Sequence, residues 1–436
     1  MAITQHSHDS FIIRGGRPLS GRIRPQGNKN EALPVIAASL LTDQPVHLEN
    51  LPAIEDVRAM LDILAEIGVQ VESSNGGIAR TATIHAAEPP GREIPHALAS
   101  AIRGSITLAG PLLARTGRAR LPKPGGDRIG RRRLDTHIQA LHELGAAVDI
   151  GRDHIELRAA ALEGADIWLD EASVTATENA ICAAALARGT TTIRNAACEP
   201  HVQALCRMLN AMGAKISGIG SNLLTIEGVE KLTGTTHRIS PDYLEVGSFI
   251  ALAAVTRGEI TIEECDHPNL RMILHAFARL GIETTYSDGI LTVPAVQKME
   301  ISYDIGGATP VIDDGPWPAF PADMTSVILV TATQCRGTVI IHEKMFESRL
   351  FFTDRLISMG ARIVLCDPHR AVVIGPERLY GATISSPDIR AGMALLIAAL
   401  CAQGESRIHN INQIDRGFSQ IDQRLRSLGA DITRTE

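Results

Sequence analysis

Six times along the chain an apolar, helix-like stretch closes on a large aliphatic residue and a glycine, and a short strand-like run follows. The pairs are Ile67-Gly68, Leu144-Gly145, Met212-Gly213, Leu280-Gly281, Met359-Gly360 and Leu428-Gly429. Gly68-Val69-Gln70-Val71-Glu72 and Gly360-Ala361-Arg362-Ile363-Val364 show the start of the strand best. A helix that turns its last apolar side chain toward a core and stops at a left-handed glycine leaves this signature. A second break recurs upstream, where an Ala/Leu-rich stretch gives way to a strand: Asp43-Gln44-Pro45, Gly117-Arg118, Gly189-Thr190, Gly258-Glu259, Gly337-Thr338 and Gly404-Glu405. Successive glycine pairs lie 77, 68, 68, 79 and 69 residues apart, so the first three and the last three share one rhythm. The pattern predicts six similar repeats, each with two helices and several strands, in two halves of three.

Composition fits that division. At 436 residues and 44% hydrophobic content the chain is long enough for two large cores. A net charge of −7 and 3% aromatic residues weigh against a nucleic-acid surface, which needs a basic face and stacking rings. An anionic ligand must then be met by local Arg and Lys clusters. Seven cysteines, with no CxxC or Cys/His ligand spacing, read as reduced thiols, and neither a metal nor a cofactor is expected. Residues 1–10 have no basic start or apolar run, and no stretch of about 18 apolar residues follows. The expectation is a cytoplasmic protein, neither secreted nor membrane-bound.

Two repeats carry surplus residues, and insertions on a repeat scaffold go to loops, where chemistry concentrates. One surplus is 123–133, Lys123-Pro-Gly-Gly-Asp127-Arg-Ile-Gly130-Arg-Arg-Arg133, whose glycines and arginines suit a mobile lid closing over an anion. The other surrounds Asp313-Asp314 through Trp317 to Asp323-Met324. Charged residues also recur at equivalent predicted helix starts: Lys29 beside Asn30, Arg103, Arg132, Asp323, Arg390 and Arg416. Helix N-termini favour anions, and a cation there opposes the dipole, so an anionic ligand is one compensating reason for them. Asp323 and Asp388 also suit first-turn or N-cap positions, which Asp favours anyway.

The chain resembles the UDP-N-acetylglucosamine enolpyruvyl transferase family through nine motifs in order. These are Gly27-Asn-Lys29-Asn30-Glu-Ala-Leu-Pro34, Arg103-Gly-Ser, Pro124-Gly-Gly-Asp127-Arg-Ile-Gly130, Asp135-Thr-His137, Ala172-Ser-Val174, Phe320-Pro-Ala-Asp323-Met, Met345-Phe-Glu-Ser-Arg349, Asp388-Ile-Arg390-Ala and Ile414-Asp-Arg416-Gly. The resemblance implies an α/β fold of two inside-out barrel domains, each of three βαβαββ-type units, closing around substrates. The expected domains are 29–236, carrying the 123–133 lid, and 1–28 with 237–436.

What the resemblance implies for the site is specific. The substrates would be phosphoenolpyruvate and UDP-N-acetylglucosamine, with no nucleic acid or membrane partner. Lys29, Arg132 and Arg416 would contact phosphoenolpyruvate, and Asp388 and Arg390 would flank the reacting centre. Asp323 would orient and deprotonate the sugar hydroxyl. Asn30, Arg103, Arg132, Arg133, Leu134, Asp135, Thr136, Ser173, Val174, Thr175 and Met345 fall at positions for the UDP-sugar, with Arg349 near another helix start. Asp127 stands where members carry Cys or Asp and would be the proton donor, active once lid closure buries it. Three positions depart from the pattern: Thr175 replaces a usual Gly, Thr325 a usual Gln, and Trp317 a His or Tyr. An acceptor such as shikimate 3-phosphate or another nucleotide stays open, as does a non-catalytic sugar-nucleotide sensor. An RNA-end-processing enzyme fits the acidic charge less well.

Overall fold

All six tag glycines adopt left-handed backbone, with φ from 75° at Gly281 to 105° at Gly360. The computed structural model of the chain describes residues 9–74, 79–127 and 129–435. Arg128 of the expected lid and residues 1–8 of the expected second domain lie outside them. Each tag closes the same two bonds: Gly68 N donates to Ala65 O and Val69 N to Leu64 O, and the pattern repeats at 145, 213, 281, 360 and 429. These bonds satisfy carbonyls of the last helical turn and release the chain toward the next strand. A β-carbon on Gly68, Gly213 or Gly429 would meet nothing within 4 Å, so backbone conformation rather than crowding requires glycine there. Gly258 differs: Arg257 before it is the left-handed residue (φ 56°). A β-carbon on Gly258 would lie 1.8 Å from Leu19 O, so close packing keeps that position small.

The described residues form two domains. The first holds 26–127 and 132–240; the second holds the chain through Pro25, the short segment 129–131, and everything from Pro241. The first-domain limit at 240 has a structural reason. Strand Thr236–Arg238 pairs in parallel with Val46–Pro52, so the end of the domain completes the sheet of its first repeat.

Six sheets carry the six repeats. In five of them a strand lies parallel to a central strand, and two antiparallel strands follow. In the first domain, Thr236–Arg238 and Val46–Pro52 continue into Ala79–His85 and Gln70–Ser73. Likewise Asp166–Trp168 and Thr190–Arg194 continue into Leu223–Glu227 and Lys215–Ser217. The sheet between them in sequence has three strands, Arg118–Pro122, His154–Arg158 and Ala147–Ile150. In the second domain the parallel pairs are Gly21–Ile23 with Ile260–Ile262, Val311–Asp313 with Gly337–His342, and Thr383–Ser385 with Glu405–His409. Ser10–Arg14 supplies the antiparallel neighbour of Glu405–His409, so the start of the described chain completes the last repeat.

Inside each domain three helices pack together. They are Lys29–Ala38, Ala109–Thr116 and Val174–Ala184 in the first, and Tyr243–Thr256, Thr325–Ala332 and Ile389–Cys401 in the second. Every residue of Tyr243–Thr256 and Thr325–Ala332 is buried, as apolar composition on all faces requires. The sheets and amphipathic helices such as Glu55–Glu66 and His267–Arg279 surround them with one face in solvent. Helices inside and sheets outside make each domain an inside-out α/β barrel. Among the described residues no helix is long and apolar enough to cross a membrane.

Candidate active site

In the first domain, the start of an inner helix carries Lys29. Asn28 caps that helix by accepting from Glu31 N at 3.0 Å. The cation at this buried N-terminus has an anion inside the protein: Lys29 Nζ lies 2.7 Å from Asp56 Oδ2, and both side chains are nearly covered. Asp56 belongs to the first turn of Glu55–Glu66, where a carboxylate suits the helix dipole. Asn30, the second residue of the Lys29 helix, is half-buried.

Arg103 opens a 3₁₀ turn that leads into the next inner helix. Its guanidinium donates to the carbonyls of Arg132 at 2.9 Å and Arg133 at 3.2 Å, and so shapes the 132–133 backbone. Burial, and then the neighbouring Arg132 charge, pull Arg103 down to about 10. Two arginines that repel each other in a partly covered place form a local anion preference. Burial and the same two cations push His137 down to about 3, so its ring is neutral near pH 7. Its Nε2 bonds the Thr175 hydroxyl at 2.8 Å.

The neighbouring predicted binding residues gather at the starts of two helices, Asp135–Glu143 and Val174–Ala184. Thr136 donates to Asp170 at 2.6 Å, and Arg133 pairs with Asp135 at 2.7 Å in solvent. Leu134 precedes the helix Asp135–Glu143. Ser173 is the N-cap residue of Val174–Ala184, and its carbonyl accepts from the Thr177 hydroxyl.

The loop glycines are held by close packing. A β-carbon on Gly125 would lie 1.7 Å from Ser100 O, and one on Gly126, whose φ is 101°, would lie 2.7 Å from Arg103 Cβ. Asp127 ends this stretch and is half-buried. In the second domain, Ser348 N donates to Ile129 O and Arg131 N to Glu347 Oε2, each at 3.1 Å.

The second domain centres on Asp323, in the turn Ala322–Met324 ahead of the helix Thr325–Ala332. Each carboxylate oxygen meets its own arginine: Arg349 Nη2 lies 3.0 Å from Oδ1, and Arg390 Nη2 lies 3.0 Å from Oδ2. Arg349 is 3% exposed, so this charge-assisted contact is shielded from water. Asp388 caps the inner helix Ile389–Cys401, its Oδ1 accepting from Arg390 N at 2.8 Å and Ala391 N at 2.9 Å. It therefore fixes the backbone from which Arg390 projects. Arg416 lies at the end of the short helix Asn412–Asp415 rather than at a helix start, and bonds Gln413 at 2.8 Å. Met345 is exposed.

Beneath Arg349 lie groups that the sequence reading passed over. Glu343 is fully buried, with Oε2 3.6 Å from Arg349 Nε. Burial drives its carboxyl well above the usual carboxylate range, and Asp314 adds to the rise. Asp314 lies in the surplus loop already singled out, yet nothing in the local pattern pairs it with Glu343. Among the described residues one cluster has metal-like spacing, Asp149, His154 and Glu156. There Glu156 Oε1 is already bonded by Arg118 and Arg158, which leaves it poorly suited to a cation.

These arrangements can bind anions and hold a carboxylate beside two cations. The sequence model for EPSP synthase (3-phosphoshikimate 1-carboxyvinyltransferase) matches residues 13–425. UDP-N-acetylglucosamine 1-carboxyvinyltransferase of Treponema denticola is 57% identical over 98% of this chain and 99% of that one. The protein of the same name from Bradyrhizobium diazoefficiens is 54% identical over 97% of each chain. Among solved structures, the enolpyruvyl transferase NikO from Streptomyces tendae superposes with a TM-score of 0.87 at 23% identity, covering 98% of this chain and 99% of that one. EPSP synthase from Acinetobacter baumannii superposes with a TM-score of 0.75 at 18% identity, covering 99% and 100%. At these identities the structural matches speak to fold alone.

Proposed function

The chain belongs to the UDP-N-acetylglucosamine 1-carboxyvinyltransferase family, and from that membership we propose that it transfers the enolpyruvyl group of phosphoenolpyruvate to the 3-hydroxyl of UDP-N-acetylglucosamine, releasing phosphate. The observation that carries this reading is the 57% identity across 98% of the chain. The product would enter peptidoglycan synthesis, and with it cell-wall growth and division, in the cytoplasm.

The reaction is an addition followed by an elimination. A proton delivered to C3 of the enol builds positive character at C2, and the sugar oxygen bonds there as its own proton leaves. Loss of a proton from C3 then expels phosphate with the C2–O electrons and restores the double bond. Asp127 is the proposed acid and Asp323 the proposed base. An aspartate acid must keep its proton near neutrality, which burial beneath a closed lid would favour.

Lys29, Arg132 and Arg416 are the proposed phosphoenolpyruvate contacts, with Asp388 and Arg390 flanking the reacting centre. The first-domain candidates Asn30, Arg103, Arg133, Leu134, Asp135, Thr136, Ser173, Val174 and Thr175, together with Met345 and Arg349, are proposed for the nucleotide sugar. The neighbouring charges of Arg103 and Arg132 support anion recognition.

Phosphate release from phosphoenolpyruvate tests the reading, with UDP-N-acetylglucosamine or shikimate 3-phosphate as acceptor. Release with the nucleotide sugar alone is the expected result. Release only with shikimate 3-phosphate would replace the acceptor, and release with neither would sink the reaction.

A further inference from the structure

Two buried side chains tie together three stretches of the first domain that carry candidates for the nucleotide sugar. Asn179 is 0% exposed and His137 2%. Asn179 lies on the inner helix Val174–Ala184, one turn after Thr175. Its Nδ2 donates to Ile106 O at 2.9 Å and to Thr175 O at 3.1 Å, and its Oδ1 accepts from Gly110 N at 2.7 Å. Ile106 belongs to the 3₁₀ turn Arg103–Leu108, and Gly110 to the inner helix that follows it. One buried amide therefore joins the turn that bears Arg103 to the helix start that bears Ser173, Val174 and Thr175. These elements also pack closely, since a β-carbon on Gly110 would lie 2.3 Å from Asn179 O.

The circuit closes on the other side. Arg103 donates to the carbonyls of Arg132 and Arg133, and a few residues on, His137 Nε2 meets the Thr175 hydroxyl at 2.8 Å. Thr136 donates to Asp170 at 2.6 Å and adds a second tie from the same helix start. Thr175 is thus held twice, at its hydroxyl by His137 and at its carbonyl by Asn179. Arg103, the segment 132–137 and the start of Val174–Ala184 form one closed ring of hydrogen bonds. No member of a ring shifts without breaking a bond to another, and a buried carbonyl or N–H left unmet costs more than the bond is worth.

We propose that Asn179 and His137 are positioning residues of the nucleotide-sugar site, holding the Arg103 turn, the segment 132–137 and the start of Val174–Ala184 in one register before substrate arrives. The inference rests on the reading of those stretches as nucleotide-sugar contacts. Both side chains are covered; they act through Arg103 and Thr175. A wall fixed in advance loses little binding energy to ordering. Loosening it weakens binding of the nucleotide sugar and leaves the chemical step alone.

The test combines calorimetric titration of the full chain and its variants with UDP-N-acetylglucosamine and measurement of kcat and both KM values. Asn179→Ala and His137→Leu should each raise the nucleotide-sugar Kd about 10-fold, with kcat and the KM for phosphoenolpyruvate within about twofold. Gln sets an amide near the place of the ring Nε2, so His137→Gln should stay within about threefold of the parent. Arg103→Ala combined with Asn179→Ala should weaken binding by well under the product of the two single effects, because the amide acts through that arginine. Parental Kd in Asn179→Ala and His137→Leu would overturn the proposal, as would a loss confined to kcat or a full product in the double variant. Should Asn179→Ala not fold, the His137 variants decide, and equal Kd in His137→Leu and His137→Gln overturns it. A parent that binds no nucleotide sugar would sink the reading of the site and this inference with it; parental binding with unaffected variants sinks the inference alone.

Discussion

Lys29 Nζ sits 2.7 Å from Asp56 Oδ2 inside the first domain, so the lysine assigned to phosphoenolpyruvate already has a carboxylate partner. Breaking a buried pair strands the remaining charge. Lys29→Ala and Asp56→Asn should each lower stability by about 3 kcal/mol, measured by urea unfolding. The double variant should recover much of that loss without recovering turnover. Recovery of activity in the double variant would confine Lys29 to a structural role.

Asp323→Asn keeps the shape and removes the base. The expected loss in kcat is about 1,000-fold, with binding of the nucleotide sugar retained in a calorimetric titration. Loss of binding together with kcat would instead make the carboxylate a ligand for the sugar.

At position 127 this chain has a carboxylate rather than a thiol. Carboxylates attack epoxides far more slowly than thiolates, so an epoxide such as fosfomycin should cause no time-dependent inactivation and no mass increase on the loop peptide. Asp127→Cys should acquire both. A covalent adduct on the parent protein would refute the argument.

Stability should depend on pH through Asp242, the buried N-cap residue of Tyr243–Thr256. Burial chiefly raises its carboxyl from 3.8 to about 6. Between those values the folded state binds more protons than the unfolded, so this contribution to stability is full below 3.8, declines as pH rises and is gone above about 6. The span amounts to at most about 3 kcal/mol. His137, held down to about 3, acts in the opposite sense and costs stability as pH falls below its unfolded value. Comparing Asp242→Asn with the parent isolates the first effect: the variant's relative stability should rise from pH 4 to pH 6 and then level off. A difference flat with pH would show that Asp242 does not titrate there.

The repeat was legible because a left-handed glycine after a helix is a local requirement, written in adjacent residues and visible wherever it recurs. Asp388 was legible for the same reason, since an N-cap acid acts on backbone two and three residues ahead. Arg416 was not. Equal spacing suggested a helix start, but the short helix Asn412–Asp415 ends there. The lid glycines read as hinges; the structure shows two of them pressed against Ser100 and Arg103, a closeness that no local pattern announces.

By itself the sequence determined six helix-to-strand transitions, the apolar inner helices, and the charged residues near several of their starts, because backbone preference and hydrophobic periodicity act over a few residues. Only the tertiary structure decided which charges meet. Asp56 beneath Lys29, the Arg132 and Arg133 carbonyls on Arg103, and Glu343 behind Arg349 come from segments that packing brings together. Electrostatic partnership depends on distance through space and on exclusion of water, and neither is recorded in the order of residues along the chain.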